Sequence, residues 1–381
     1  MKIALVTAYF YPTSNGGTEK YVLNLARNLI AQNHDVDVLT AGTKEVIRSY
    51  QGLKIYEITD ELSYESDILA GKRASANLNE FIQILKNNNY DLVHFHTLTP
   101  TFNTFHILET NKCLEVEIHF TAHIPGITCL HGDLMQFGER ACDGIIKKQR
   151  CTACYISKKG FNQPLSNILA KSVKIFNYPR NIANVVEQKI EDLKRLNNLC
   201  DKIFLFTNWQ KDIFILNGFD ETKIEVTNQL LNKVLIAHET TKRVIKNIGF
   251  VGRISHEKGL HILIDAFKQA NRKDLTLHIA GIINDEQYFE KLRSKTKEDT
   301  NIHWQLDLDE QEIDFFYRQI DTLVIPSIWL ETGPFVLYEA FEKNIPVIAN
   351  DLGDMRIWKN KGFDIKLYYS GTNLKNYLIQ L

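Results

Sequence analysis

The sequence predicts an α/β protein of two doubly wound parallel-sheet domains facing across a cleft, and three observations carry that prediction. At 381 residues the chain exceeds one ordinary hydrophobic core. Short apolar runs alternate with helical periodicity almost from end to end, the pattern of parallel sheets with right-handed crossovers. That pattern restarts past the middle of the chain, so the strand candidates fit two sheets better than one.

In chain order, the first strand candidates are KIALVT (2–7), DVDVLTA (35–41), LKIYEIT (53–59), DLVHFHT (91–97), EIHFTAH (117–123) and IFLFTN (203–208). Between the first two runs an amphipathic helix places Val22, Leu25, Ala26, Leu29 and Ile30 on one face. The second part supplies NIGFVG (247–252), LTLHIAG (275–281), IHWQL (302–306), DTLVIP (321–326) and IPVIAND (345–351). Helical patterns at 258–270, 285–297 and 333–343 separate them. The polar, basic stretch HETTKRVIKN (238–247) marks a linker, giving domains at 1–240 and 245–381. Ligands of such sheets lie beyond the carboxyl ends of the strands, so the cleft is the expected site.

Composition excludes several classes. With 44% hydrophobic and 24% charged residues and a net charge of −1, the chain reads as a soluble globular protein, and no global charge points to nucleic acid. The opening MKIALVTAYFYPTSNGG has too short an apolar run for a signal peptide. No unbroken stretch of about 18 apolar residues predicts a spanning helix. Six cysteines are too few for a secreted disulfide scaffold and point to the reducing cytoplasm.

The chemistry concentrates in the second part. After the strand at 247–252, Arg253 leaves the strand end and Lys258 follows at the start of a helix beginning near Gly259. A guanidinium fork, an ammonium and helix-end amides together suit a diphosphate. The stretch IWLETGPFVLYEAF (328–341) adds Glu331 on a loop and Glu339 inside a helix that starts around Gly333-Pro334, where proline fits the first turn. Carboxylates on both sides of a cationic site suit a ribose at one end and a hexose at the other. Two charge-assisted contacts at about 1.5–3 kcal/mol each, with a helix terminus at up to about 2, give about 5–8 kcal/mol. Micromolar binding needs about 8 kcal/mol, so a few further contacts suffice without a divalent ion. Asp307-Leu308-Asp309 has the spacing of a metal motif, but it precedes EQEIDFFY and reads as a helix cap.

GRISHEKG followed downstream by E-x7-E in PSIWLETGPFVLYEAFEKNIPVIAND resembles the retaining family-4 glycosyltransferases of the GT-B fold, in which both domains are Rossmann-like. YPTSNGGTEKYVLNLARNLIAQNHDVDVLT, DLVHFH and TAH (121–123) resemble the opening loop and helix, a strand and the cleft histidine of the same family. The resemblance covers roughly 1–355. It implies a transferase that moves a sugar from a nucleoside-diphosphate sugar to a glycan or polyprenyl-diphosphate-linked acceptor, with retention and no catalytic metal. Arg253 and Lys258 would hold the diphosphate with the Thr332 and Gly333 amides, Glu339 the ribose and Glu331 the donor sugar. His123 would face the reacting sugar, so His123 and Glu331 are the catalytic candidates. Gly16 and Gly17 would approach the donor from the first domain. Two departures stand out: Asp351-Leu352-Gly353-Asp354 replaces the family's Gly-Gly-acid, and the chain stops at Leu381 where the family normally continues with a helix crossing back. The second departure implies looser closure or an incomplete C-terminus.

An insertion at about 124–180 carries Cys129, Cys142, Cys151 and Cys154 in a C-x12-C-x8-C-x2-C pattern, with His131 nearby. The tight final pair suits tetrahedral thiolate ligation. Structural zinc, free or redox-labile thiols and an iron–sulfur cluster all remain open readings. A similar insertion occurs in family members that build bacterial surface polysaccharides. Cys113 and Cys200 read as buried core residues. From Gly144 to Val186 the chain holds Lys147, Lys148, Arg150, Lys158, Lys159, Lys171, Lys174 and Arg180 with no acid, interleaved with Phe161, Leu165, Ile168, Leu169, Ile175 and Phe176. Such an arm suits an anionic membrane surface, at the inner face of a membrane, or a lipid-linked diphosphate acceptor, and a solvated loop and helix face is the plain alternative. Two rivals share the architecture. A non-hydrolysing sugar-nucleotide epimerase would need a carboxylate cluster around the sugar that the sequence lacks beyond Glu331. The other is a non-enzymatic nucleotide-sugar-binding subunit.

Overall fold

The computed structural model of the chain describes all residues except 15, 45, 60–73, 97, 177–181, 183 and 230–243. The chain divides into two compact units, Met1–Asn232 and Lys233–Leu381. Up to residue 243, the expected linker lies outside the described residues.

The first unit contains β1 (Lys2–Thr7), β2 (Asp35–Gly42), β3 (Val46–Tyr50), β4 (Leu53–Thr59), β5 (Leu92–Phe95), β6 (Glu117–Thr121), β7 (Met135–Gln136), β8 (Arg140–Ala141), β9 (Lys202–Leu205) and β10 (Ile224–Val226). Among the described residues, eight of these form one sheet in the order β10-β9-β6-β5-β1-β2-β4-β3, and β7 pairs with β8. Its strands run parallel except β3, which pairs antiparallel with β4 at the edge. Ile3 to Val6 and Val93 to Phe95, His94 included, are buried whichever way they point, because helices cover both faces.

Those helices are α1 (Gly17–Ala31), α2 (Leu78–Asn88), α3 (Thr104–Cys113), α4 (Lys148–Ser157), α5 (Gln163–Phe176), α6 (Val185–Leu199) and α7 (Asn208–Leu216). The face that α1 buries is turned from the expected one: Tyr21, Val22, Leu23 and Ala26 are buried, whereas Ile30 is 44% exposed. Tyr21 sits among aromatic rings at the strand ends, and that packing sets the rotation of the helix.

The second unit holds β11 (Asn247–Ile254), β12 (Thr276–Ile283), β13 (Ile302–Leu306), β14 (Thr322–Ile325), β15 (Val347–Asn350) and β16 (Ile365–Tyr368), ordered β13-β12-β11-β14-β15-β16 and parallel throughout. Its helices are α8 (Leu260–Ala270), α9 (Glu286–Lys295), α10 (Glu310–Gln319), α11 (Phe335–Glu342), α12 (Met355–Asn360) and α13 (Gly371–Gln380). Side chains alternate across the sheet: Val324 and Ile348 enter one core cluster, while Leu323, Ile325, Val347 and Ala349 enter the other. Two cores on one sheet define a doubly wound layer. Asp309 caps α10 as expected, accepting from the Gln311 and Glu312 N–H groups, while Glu312 accepts from the Asp309 N–H.

In each sheet the strand order reverses beside the first strand of the unit, between β1 and β5 and between β11 and β14. The loops leaving those strands diverge there, and ligands of such sheets settle in the gap.

Candidate functional site

At the reversal point of the second unit, the loop after β11 meets the loop after β14. Gly259 makes the approach possible. It holds φ +70°, and a Cβ there would collide with the Pro326 carbonyl oxygen, so any other residue would push the loops apart. The Ile328 N–H then donates to the Glu257 carbonyl at 2.9 Å. The Asn350 side chain donates to the Ser327 carbonyl at 2.9 Å and ties in the end of β15. Gly333, at φ +94°, turns the chain into α11, with Pro334 as its N-cap.

This frame brings Lys258 and Glu331 together. The Lys258 Nζ lies 2.6 Å from Glu331 Oε1, with both side chains largely buried. Ser327 Oγ donates to the same oxygen at 2.7 Å, and the Lys258 ammonium lies 5.4 Å over the Trp329 ring. Burial alone would raise the Glu331 pKa, but the Lys258 charge and the hydrogen bonds from Lys258 and Ser327 hold it below the ordinary value. Arg253, about half exposed at the end of β11, reaches toward Glu257 with Nη2 at 3.9 Å. Glu339 stands on α11 and accepts a 2.8 Å hydrogen bond from the Tyr317 hydroxyl on α10. Thr332 and Gly333 are buried in the turn between the two glutamates.

The sequence places carboxylates on both sides of the cations, and the structure pairs Lys258 with Glu331 and sets Arg253 near Glu257. It also adds Ser327, Glu257 and Trp329 to the neighbourhood. The serine and the tryptophan follow directly on the β14 strand end, and that position is the signal in the sequence that marks them.

In the first unit, His123 follows β6 and is buried against Tyr21 and Phe206, with ring centroids 5.0 and 5.2 Å away. Its Nε2 lies 3.3 Å from His96 Nδ1. His94 stacks 4.1 Å from His96, and its Nε2 lies 2.8 Å from Thr121 Oγ1. Burial pushes His123 down to about 3 and drives His94 and His96 well below the usual imidazole range. All three are therefore neutral hydrogen-bonding groups at physiological pH, not proton stores. The DLVHFH motif supplies His94 and His96, whose coupling to His123 the sequence does not reveal. Gly16 is the N-cap of α1 at φ −70°, and a Cβ there would press on the Glu19 carboxylate, which accepts from Ser14 Oγ at 2.5 Å. Gly17 opens the helix beside it.

All four insertion cysteines line one small cavity, alongside His131. Among the described residues, however, no three His, Cys, Asp or Glu side chains stand closely enough to hold a metal as they are. Burial raises the Cys142, Cys151 and Cys154 thiol pKa values, that of Cys154 to about 11. Cys200 is buried as expected, but Cys113 at the end of α3 is exposed, because α3 turns its buried side through Thr104, His106, Ile107 and Thr110. The basic arm is also less cationic than its sequence implies. Acids from outside the arm reach in: Asp143 pairs with Lys147 and Arg150, and Glu187 with Lys148. Arg180 of that arm lies outside the described residues.

A depressed carboxyl pKa stabilises the fold above the unfolded value and loses that contribution as pH falls through the folded value. Glu331 should therefore support the second unit at neutral pH and release it below the ordinary value of 4.5. Glu331→Gln, which leaves a buried ammonium without its counter-charge, should cost about 3–5 kcal/mol at pH 7 and flatten the acid limb of the stability curve. Chemical denaturation of both proteins between neutral and acid pH measures this. Equal stabilities at pH 7 would refute it.

Known proteins supply the family. Residues 15–228 match the model for Glycosyltransferase Family 4, and residues 237–357 match that for Glycosyl transferases group 1. An uncharacterized glycosyltransferase of Methanocaldococcus jannaschii is 23% identical over 371 residues, covering 97% of this chain and 85% of that protein. An uncharacterized 42.6 kDa protein in the cps region of Klebsiella pneumoniae is 25% identical over 374 residues, covering 93% and 86%. Among solved structures, Anabaena HepE in complex with UDP-glucose superposes with a TM-score of 0.62 at 13% identity, covering 100% of this chain and 89% of that one. With two parallel Rossmann-like sheets and a Family 4 match over more than half its length, the chain belongs to the glycosyltransferases of the GT-B fold.

Proposed function

We propose that this glycosyltransferase is a retaining hexosyltransferase that moves a sugar from a nucleoside diphosphate to a glycan or lipid-linked acceptor, without a metal at the reacting centre. The observation that carries this reading is the Lys258–Glu331 pair at the β11/β14 reversal point, beside the start of α8. Leaving-group charge accumulates on the diphosphate as the glycosidic bond breaks, and cations already fixed in a partly dry site meet it without reorganising solvent. That task falls to Arg253 and Lys258 with the Thr332 and Gly333 amides. Glu339 takes the ribose hydroxyls and Glu331 the donor sugar. Gly16 and Gly17 would let backbone approach the donor closely.

Once Glu331 swings to sugar hydroxyls, Lys258 loses its counter-charge and is free to bind phosphate. Donor binding and activation of the cation are then one event. On the first unit we assign His123 to hydrogen bonding with a sugar, with His96 setting its tautomer. UDP-glucose in the complex of the HepE neighbour supports a nucleotide-sugar donor, and the cps-region relative supports a surface-polysaccharide acceptor. None of the assigned residues is cast as a carboxylate nucleophile, so departure and attack on one face of the sugar is the proposed route. Its first-formed product, followed by NMR, should keep the donor's anomeric configuration; an inverted product rejects retention. Turnover should survive chelation of divalent ions.

We also assign membrane docking to the α5 surface. Phe161, Leu165 and Ile168 are 45%, 41% and 60% exposed there, next to exposed Lys158, Lys159 and Lys171. Apolar side chains among lysines suit an anionic headgroup layer. Binding to vesicles containing anionic lipid should exceed binding to neutral vesicles and weaken with salt. Indifference to both lipid charge and salt would rule the surface out.

A further inference from the structure

We propose that Cys129, Cys142, Cys151 and Cys154 form a structural zinc site in the first unit, independent of the transfer chemistry. The four side chains line a single cavity of about 30 Å³, room for about one water or ion. None is in a disulfide and each is half-buried. Cys151 and Cys154 lie three residues apart on α4, so both project from one side of that helix. Cys129 comes from the loop beyond the 3-10 turn Pro125–Ile127, and Cys142 directly follows β8.

Hydrogen-bond donors point at three of the four sulfurs. The Phe137 N–H donates to Cys154 Sγ at 3.2 Å, and the Lys147 N–H donates to Cys151 Sγ at 3.3 Å. The Gly144 N–H points at Cys142, and the Arg150 guanidinium, paired with Asp143, stands near Cys142 and Cys151. Backbone donors and a cation around thiols are what metal-bound thiolates require.

The backbone gives an independent reason. Leu134 and Phe137, both bulky, hold φ of +55° and +57°, a left-handed conformation that persists only where something fixes it. Phe137 is also the donor to Cys154. Among the described residues, one apolar cluster of the insertion joins Ala153, Ile156 and Ala170, with Phe137, Leu169 and Ile182 packed against them, and Leu134, Met135 and Val173 are buried as well. Among the described residues no three of these side chains stand together as a ready ligand set, so ligation would require side-chain rotation. Binding turns the side chains into the cavity, each thiol giving its proton to solvent as its sulfur takes a metal bond. Four protein ligands leave no open position, so the ion holds structure and performs no chemistry.

The test is elemental analysis of the full chain purified without chelator. About one equivalent of zinc is expected, released stoichiometrically as a mercurial titrates the thiols, with Cys154→Ser lowering zinc at least about fivefold. If that variant does not fold, cobalt substitution into the wild-type protein decides, since the thiolate-to-cobalt charge-transfer band and tetrahedral d–d bands report the same ligands. Zinc below about a fifth of an equivalent, iron in its place, or cobalt spectra without thiolate bands overturn the proposal.

Discussion

Everything in the second unit turns on one close approach. Because Gly259 has no side chain, the loop after β11 can lie against the Pro326 carbonyl, and only then do Lys258 and Glu331 meet in a buried, hydrogen-bonded pair. A buried pair contributes little to net stability, because desolvating two ions offsets most of their attraction. Its value is positional. It holds a largely buried ammonium at the reversal point of a parallel sheet, where the proposed function has phosphate replace the carboxylate.

The first unit solves a different problem with neutral groups. His94, His96 and His123 are buried closely enough that protonating one would place a cation beside its neighbours without solvent. They stay uncharged, and the His96–His123 contact couples the tautomers of those two rings. A neutral, oriented array can recognise hydroxyls without drawing in a charged competitor. The buried Lys258–Glu331 ion pair thus lies in one unit and the cluster of neutral histidines in the other.

Much of this was legible in the sequence, for physical reasons. Continuous apolar runs of four to eight residues flanked by helical periodicity have few readings other than buried parallel strands, and every expected strand appears. The Asp309 cap was readable because capping is local, depending on residues three apart. What escaped detection depended on distant partners. VIRSY at the edge of the first sheet is too short and exposed to show a period. The rotation of α1 follows Tyr21's aromatic neighbours rather than the helix's own stripe. Cys113 looked like a core residue by type, yet α3 turns it outward. The pairing of Lys258 with Glu331 joins residues 73 apart in sequence, and the neutralisation of the basic arm comes from Asp143 and Glu187, just outside it. Charge along a sequence does not show which charges a fold will cancel.

The central claim is that Lys258 is the phosphate-binding cation and Glu331 its occupant in the free protein. Calorimetric titration of wild type, Lys258→Ala and Glu331→Gln with nucleoside diphosphates tests it most directly. Binding in Lys258→Ala should be at least about tenfold weaker, a loss of roughly 1.4 kcal/mol or more, whereas Glu331→Gln should bind undiminished and transfer poorly. Wild-type diphosphate affinity in Lys258→Ala would contradict it.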